Sequence, residues 1–325
     1  MFEINTKPFV VFANADDDVD GIFTQSPVYQ LNENSFTLNQ TLATFSAFDA
    51  EYFSIDGSHF VMLTNSENGT TSVINSDIYK WQGEKFEIFQ QLVTNYATDS
   101  HFFSIGKQKF LAVSNLHSLN SFIFEWKEGR FVKIQEIPTT SPRGLSTADI
   151  NNDTYVIVGS FTASDSTKVF KWTGSQFVYF HSLASTNAIQ VHSFEANGSA
   201  LVAIANYQSK SGKYDTDSFI YRWNGSSFIL HQSLPTHGAH SLRSFCAGNT
   251  TYIVVANYRG QHEGYNVRSE VYELRNGKFV PYQLLETTGA SGLITYDHNG
   301  QRYLAVSQYR NSTGYNINSL VFIWK

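Results

Sequence analysis

Residues 15–21 read ADDDVDG, and their spacing carries a metal-binding possibility. Asp16, Asp18, Asp20 and Gly21 match the D-x-D-x-D-G opening of a calcium loop. Carboxylates at alternate positions wrap a hard cation, and the glycine permits the sharp turn between them. The twelfth position is Pro27, where a helix–loop–helix site needs a bidentate Glu, so a solvated acidic loop is the alternative. Glu51, His101 and His192 have the side chains of general acids and bases, and an enzyme would place them at one site. The other reading gives them strand-to-strand hydrogen bonds. His237 and His240, in HGAH, are candidate ligands or turn residues. Three long segments each pair two tyrosines: Tyr207 with Tyr214, Tyr258 with Tyr265, and Tyr309 with Tyr315. Tyrosine gives contact area at low entropic cost, so Tyr214, Tyr265 and Tyr315, the deeper member of each pair, are candidates for touching a partner.

What positions these residues is a repeat. IYKWQGEKF (78–86) returns as IYRWNGSSF (220–228), with relatives at 28–36, 123–131, 169–177 and 271–279 and a partial copy, VFIWK, at 321–325. A second element runs in phase: FVVFANA, FVMLTNS, FLAVSNL, YVIVGSF, LVAIANY, YIVVANY and YLAVSQY start 51, 50, 45, 46, 51 and 51 residues apart. Seven residues before each start stands Phe2, Phe53, Phe103, Ala148, Phe194, Phe245 or Tyr296. A fixed period of this length marks a repeat architecture. The units run over about 1–45, 46–95, 96–140, 141–186, 187–237, 238–288 and 289–325.

Each unit reads as four strands, A to D. Strand A resembles HFFSI (101–105), B is FLAVSN, C is FIFEW (122–126) and D is FEIFQQL (86–92), with about ten residues expected between D and the next A. Tight turns such as ANGS, HNGQ and RNGK join A to B and C to D. Strand B is apolar at consecutive positions, the mark of a strand covered on both faces. Such a unit needs a neighbour on each side, and seven of them in a ring supply one. The chain is therefore expected to be all-β: a single seven-bladed β-propeller of four-stranded antiparallel blades. The last copy stops after strand C, so the seventh blade is expected to have three strands.

The segment SFIYRWNGSSFILHQSLPTHGA (218–239) is nearly a consensus copy of the EAR, or epitempin, repeat, and the whole chain resembles that family. The family includes the leucine-rich glioma-inactivated proteins, secreted animal proteins whose EAR region forms a seven-bladed propeller. The resemblance implies extracellular binding of proteins, typically cell-surface receptors. It also implies a calcium ion in the central channel. Asp49 and Asp99 stand four residues before Phe53 and Phe103, at one height on adjacent blades, and are the candidate ligands. The alternative is two aspartates bonding loop amides.

Composition narrows the partners. Charged residues are 15% of the chain and the formal net charge is −6. Without a Lys/Arg cluster, nucleic acid and anionic membranes are not expected partners. No apolar run approaches a membrane span of ~20 residues. The start, MFEINTKPF, has neither the basic nor the apolar segment of a signal peptide. Seven Asn-x-Ser/Thr sequons, at Asn39, Asn68, Asn152, Asn197, Asn224, Asn249 and Asn311, fall mostly in predicted turns. The expectation is a secreted protein with its leader absent from this chain; a cytosolic one is the alternative. Cys246 is alone, so no internal disulfide forms, and it is expected to be a buried thiol.

No nucleophile–base pair or phosphate loop stands out. The expected function is non-enzymatic recognition of a protein, with a carbohydrate-binding lectin as the second reading. An enzyme around Glu51, His101 and His192 is the reading from another class. The edge SLVFIWK (319–325) presents Val321, Phe322, Ile323 and Trp324, and is expected to be covered through self-association or by further sequence.

Overall fold

A computed structural model describes residues 1–16, 21–33, 35–315 and 317–325. Every regular element among them is a strand, and no helix is long and apolar enough to cross a membrane. Among the described residues the strands form seven antiparallel sheets, six of four strands in the order A-B-C-D and a last of three in the order A-B-C, each built from consecutive segments. This is a seven-bladed β-propeller. The chain falls into two compact units, blades 1–3 (Met1–Pro138) and blades 4–7 (Thr139–Lys325).

Blade 2 is typical: A is Ala47–Ile55, B is Ser58–Asn65, C is Val73–Trp81 and D is Phe86–Asn95. Its B strand is buried on both faces, with Phe60, Val61, Met62 and Leu63 all shielded from solvent. In blade 1, Phe2 pairs with Phe9, so MFEIN is strand A as expected.

The connection from D to A differs from expectation. Only Tyr96 separates Phe86–Asn95 from Ala97–Ile105, where about ten non-strand residues were expected. One left-handed residue turns the chain: Ser46, Tyr96, Ser141, Asn187, Gly238 and Gly289 all have φ between 44° and 54°. The flanking residues stay extended because neighbouring blades satisfy their amides.

The repeated residues supply those bonds. Asn65, Asn115, Asn206 and Asn257, at the ends of their B strands, are buried. Their side-chain oxygens accept from Phe45, Asn95, Thr186 and His237 amides of the preceding blade at 2.9–3.0 Å. The C-strand tyrosines Tyr79, Tyr221 and Tyr272 donate to the carbonyls of Ala43, Ala184 and Pro235 in the preceding blade. Burial raises these phenol pKa values, to about 12 for Tyr221, so all three stay protonated donors.

Strand D carries a clamp. The Gln40 amide donates to Phe86 O and accepts from Phe86 N, both at 2.8 Å. Gln90 does the same to Phe131, and Gln232 to Phe279. In blade 4 His181 takes the place of this Gln; its Nε2 is buried without a partner, and burial lowers its pKa. An imidazole cannot donate and accept in parallel as an amide does.

Candidate functional site

Strand A carries Asp49 and Glu51 in blade 2 and Gln190 and His192 in blade 5. Each of these four sits against the A strand of the next blade, whose amides need acceptors. Asp49 Oδ2 accepts from Ser100 N at 3.1 Å and Ser100 Oγ at 2.9 Å. Gln190, at the matching position, accepts from Leu242 N at 2.8 Å and Ser241 Oγ at 2.7 Å. Two residues on, Glu51 Oε1 accepts from Phe102 N at 2.8 Å, Ser146 Oγ from Ser193 N at 3.0 Å, and His192 Nε2 from Ser244 N at 3.1 Å. Gly144 has no side chain to offer; a Cβ there would lie 2.5 Å from Gln190 Cα, so the backbones pack directly. These side chains join blade to blade. His101 Nδ1 lies 3.5 Å from Glu51 Oε1, which the Phe102 amide already engages.

Asp49 and Asp99 belong to adjacent blades of one unit and are both carboxylates, the donors a hard cation takes. Among the described residues, no cluster of three or more His, Cys, Asp or Glu could hold a metal. A calcium ion would thus rest on these two side chains, backbone oxygens and water. Of the acidic loop, Asp16 is half-buried, while Asp18 and Asp20 lie outside the described residues.

The tyrosine pairs form an extended arrangement in the four-blade unit. The first members make an inner row. Tyr207 and Tyr258 lie 6.1 Å apart between ring centroids, as do Tyr258 and Tyr309 at 6.3 Å. The His240 ring packs against Tyr258 at 4.3 Å and Tyr207 at 5.3 Å. The second members make an outer row, and two arginines intercalate between them. The Arg259 guanidinium lies 4.5 Å from the Tyr214 ring and 5.3 Å from Tyr265. Arg310 lies 4.9 Å from Tyr265 and 4.7 Å from Tyr315. The result is an alternating ladder, Tyr214–Arg259–Tyr265–Arg310–Tyr315. Arg259 donates to Tyr214 Oη at 3.0 Å and Arg310 to Tyr315 Oη at 3.2 Å. All five are half-buried, so each keeps some surface open to solvent. Guanidinium planes stack on aromatic faces, which fixes both groups without removing them from water.

The backbone makes the ladder possible. Gly238 N donates to Tyr214 O at 2.7 Å, and Gly289 N to Tyr265 O at 2.8 Å. A Cβ on Gly238 would sit 2.7 Å from Arg259 O, and one on Gly289 would strike Arg310 O. In blades 2 to 5 the same position is Ser46, Tyr96, Ser141 or Asn187. Glycine stands there only where an arginine follows the inner tyrosine. The arginines escaped sequence reading, although YR in NYRGQ and QYRNS, preceded by TxGA, was a legible signal.

His237 Nδ1 lies 2.7 Å from Asp215 Oδ1, and Gln261 N donates to that same oxygen at 3.1 Å, so the pair ties two blades together. His240 has its pKa lowered well below 6.5 by burial and secondarily by the Arg143 charge. An unfolded His240 binds a proton below about pH 6.5, whereas the folded one does not, so stability must fall as pH drops below that value. The expected slope is at most about 1.4 kcal/mol per pH unit from this residue. Melting temperatures of the chain and of His240→Phe, compared between pH 7.5 and 5, should show a smaller drop in the variant; an equal drop would remove His240 as the cause.

Of the sequons, Asn39, Asn152, Asn197, Asn224 and Asn249 are exposed, whereas Asn68 and Asn311 are half-buried and accept backbone hydrogen bonds in their loops. Asn39 lies within strand D of blade 1 (Ser35–Phe45), not in a turn. Cys246 is exposed, contrary to expectation. It sits on the solvent side of strand A of blade 6 (Ala239–Ala247), because its neighbour Phe245 takes the inward position.

Comparison with known proteins bears on the scaffold. A human protein, "Thrombospondin-type laminin G domain and EAR repeat-containing protein", is 30% identical over 154 residues, 46% of this chain and 22% of that protein. Mouse "Leucine-rich repeat LGI family member 2" is 24% identical over 198 residues, 57% of this chain and 33% of that protein. The matches thus span about a fifth to a third of these relatives. Among solved structures, a candidate 6-phosphogluconolactonase from Bacteroides uniformis superposes with a TM-score of 0.69 over 97% of this chain and 98% of its own, at 12% identity, a likeness of fold alone. The EPTP domain matches residues 35–82, 85–127, 130–173 and 227–273. Those four segments make up more than half of the sequence and contain Gln40, Gln90 and Gln232 of the clamp, with Asn65, Asn115 and Asn257 and with Tyr79 and Tyr272; the chain belongs to the EPTP domain family.

Proposed function

We propose that this chain is a non-enzymatic, extracellular binding module that recognises a protein partner through the Tyr214–Arg259–Tyr265–Arg310–Tyr315 ladder. The ladder itself carries the proposal. Tyr and Arg dominate the energetics of protein interfaces, and preorganised side chains lose little entropy on binding. The residues repeated through the blades have structural duties, whereas the ladder is confined to the loops of blades 5 to 7. A lectin would stack sugars on open ring faces, but arginines occupy faces of these rings. Enzymatic use of Glu51 and His192 would compete with the backbone amides they hold. Labelled chain applied to a panel of cultured cells should bind a subset, with binding lost after surface proteolysis and kept after glycan removal. The reverse pattern would favour the lectin.

Calcium enters the proposal as a structural ion at Asp49 and Asp99. A ligand bound only to the native state raises its stability by mass action. A chelator should therefore lower the melting temperature, and Asp49→Asn, which keeps an acceptor for Ser100, should abolish the difference. An unchanged melting temperature in chelator would dismiss the ion.

A further inference from the structure

The ladder carries positive charge that the chain does not neutralise. Arg268, Arg275 and Arg302 each have a carboxylate beside them, from Glu286, Glu273 and Asp297. Among the described residues, Arg259 and Arg310 have none. The acids of the same loops are engaged elsewhere. Asp215 Oδ1 meets His237 Nδ1 and Gln261 N, and Glu263 Oε2 accepts from His262 N at 3.3 Å.

Each guanidinium has five N–H donors in a planar fork. Arg259 donates one to Tyr214 Oη; Arg310 donates one to Tyr315 Oη and another, at 3.5 Å, to Asn311 O. Stacking on a tyrosine uses the flat face of the group and leaves its N–H edge to other partners. Both arginines are half-buried and keep surface open to solvent. They share Tyr265, lying 5.3 and 4.9 Å from its ring, so the two forks stand no more than about 10 Å apart. Alternate residues of an extended strand project to one side about 7 Å apart. Carboxylates on two such residues can therefore reach both forks.

Resting on the reading of the ladder as the recognition surface, we propose that its ligand is an extended acidic segment of the partner protein, with Asp or Glu at alternate positions, whose carboxylates bind Arg259 and Arg310. A planar fork meets a carboxylate through two parallel hydrogen bonds, and such charge-assisted bonds are about twice as strong as neutral ones. Tyr214, Tyr265 and Tyr315 flank the arginines and offer ring surface to the residues between the acids. A short segment feels only the charges within a Debye length of about 8 Å. A sulfated glycan is a poorer occupant: a polyanion is drawn by a broad basic field, whereas this chain has a formal net charge of −6 and the ladder holds two arginines.

The probe is the peptide GTETETETG, labelled with a fluorophore and titrated with the full chain at low salt; GTQTQTQTG is its uncharged counterpart. Saturable binding is expected for the first. It should weaken about tenfold or more for the second, in raised salt, and with Arg259→Gln and Arg310→Gln combined. Lys213→Gln with Arg268→Gln removes the same charge from exposed positions of the same loops and should leave binding unchanged. The peptide exchange leaves the protein untouched, so it decides the case even where the double variant is destabilised. Absence of binding, equal binding of the two peptides, or equal loss in the two pairs of variants overturns the proposal. So does binding of a heparin tetrasaccharide without binding of the glutamate peptide, which would assign the arginines to a sulfated glycan. If the glutamate peptide fails while Arg259→Ala with Arg310→Ala still abolishes cell-surface binding, the acidic ligand falls and the ladder stands. Cell-surface binding indifferent to that alanine pair overturns both.

Discussion

Gly289→Ala is expected to destabilise the four-blade unit by about 3 kcal/mol, roughly 1 for a left-handed alanine and the rest for overpacking. The new methyl group would strike Arg310 O, which is backbone and cannot swing aside. The φ of 53° alone does not forbid a side chain, because Ser46, Tyr96, Ser141 and Asn187 hold similar values. Ser141→Ala is therefore the control, with an expected loss of under ~1 kcal/mol, as for a surface change that adds no atoms. Urea denaturation of both variants checks the pair. Equal small losses would mean that Arg310 does not approach the turn closely, and the ladder geometry would then be wrong.

The second large effect concerns recognition. Arg259→Ala with Arg310→Ala removes both spacers between Tyr214, Tyr265 and Tyr315 while leaving the repeated scaffold residues intact. Cell-surface binding should weaken on the order of 100-fold, about 3 kcal/mol, since interface hot spots of this composition are individually worth about 2 or more. The melting temperature should move by only a few degrees, because half-buried cation–π contacts contribute about 0.5–2 kcal/mol each. Lysine at both sites should recover little binding, as an ammonium lacks the planar fork that stacks between rings. Unchanged binding in the double variant would move the partner site off the ladder.

The sequence disclosed the scaffold in detail because a repeat writes each rule several times. The seven-residue spacing of Phe2 to Phe9 became a strand pair, and the consecutive apolar run at Phe60–Leu63 became a strand buried on both faces. The D-to-A connection was misread because residues 93–100 lack alternation; their extension depends on the Asn115 side chain and the Asp49 carboxylate of neighbouring strands, which are tertiary facts. Cys246 was misplaced for a related reason, since an apolar neighbourhood does not say which face of a strand a residue takes. Tyr214, Tyr265 and Tyr315 were legible as candidates, but Arg259 and Arg310 were not. Their meaning arises between blades, where residues 45 positions apart, Tyr214 with Arg259 and Tyr265 with Arg310, become neighbours.

The most direct measurement is hydrogen exchange of the chain, free and bound to cells' solubilised surface protein. Binding through the ladder predicts slowed exchange confined to 207–215, 258–268 and 309–315, with the A-strand segments around Glu51 and His192 unchanged. Protection at those A strands with the three loops unaltered would contradict the ladder as the recognition surface.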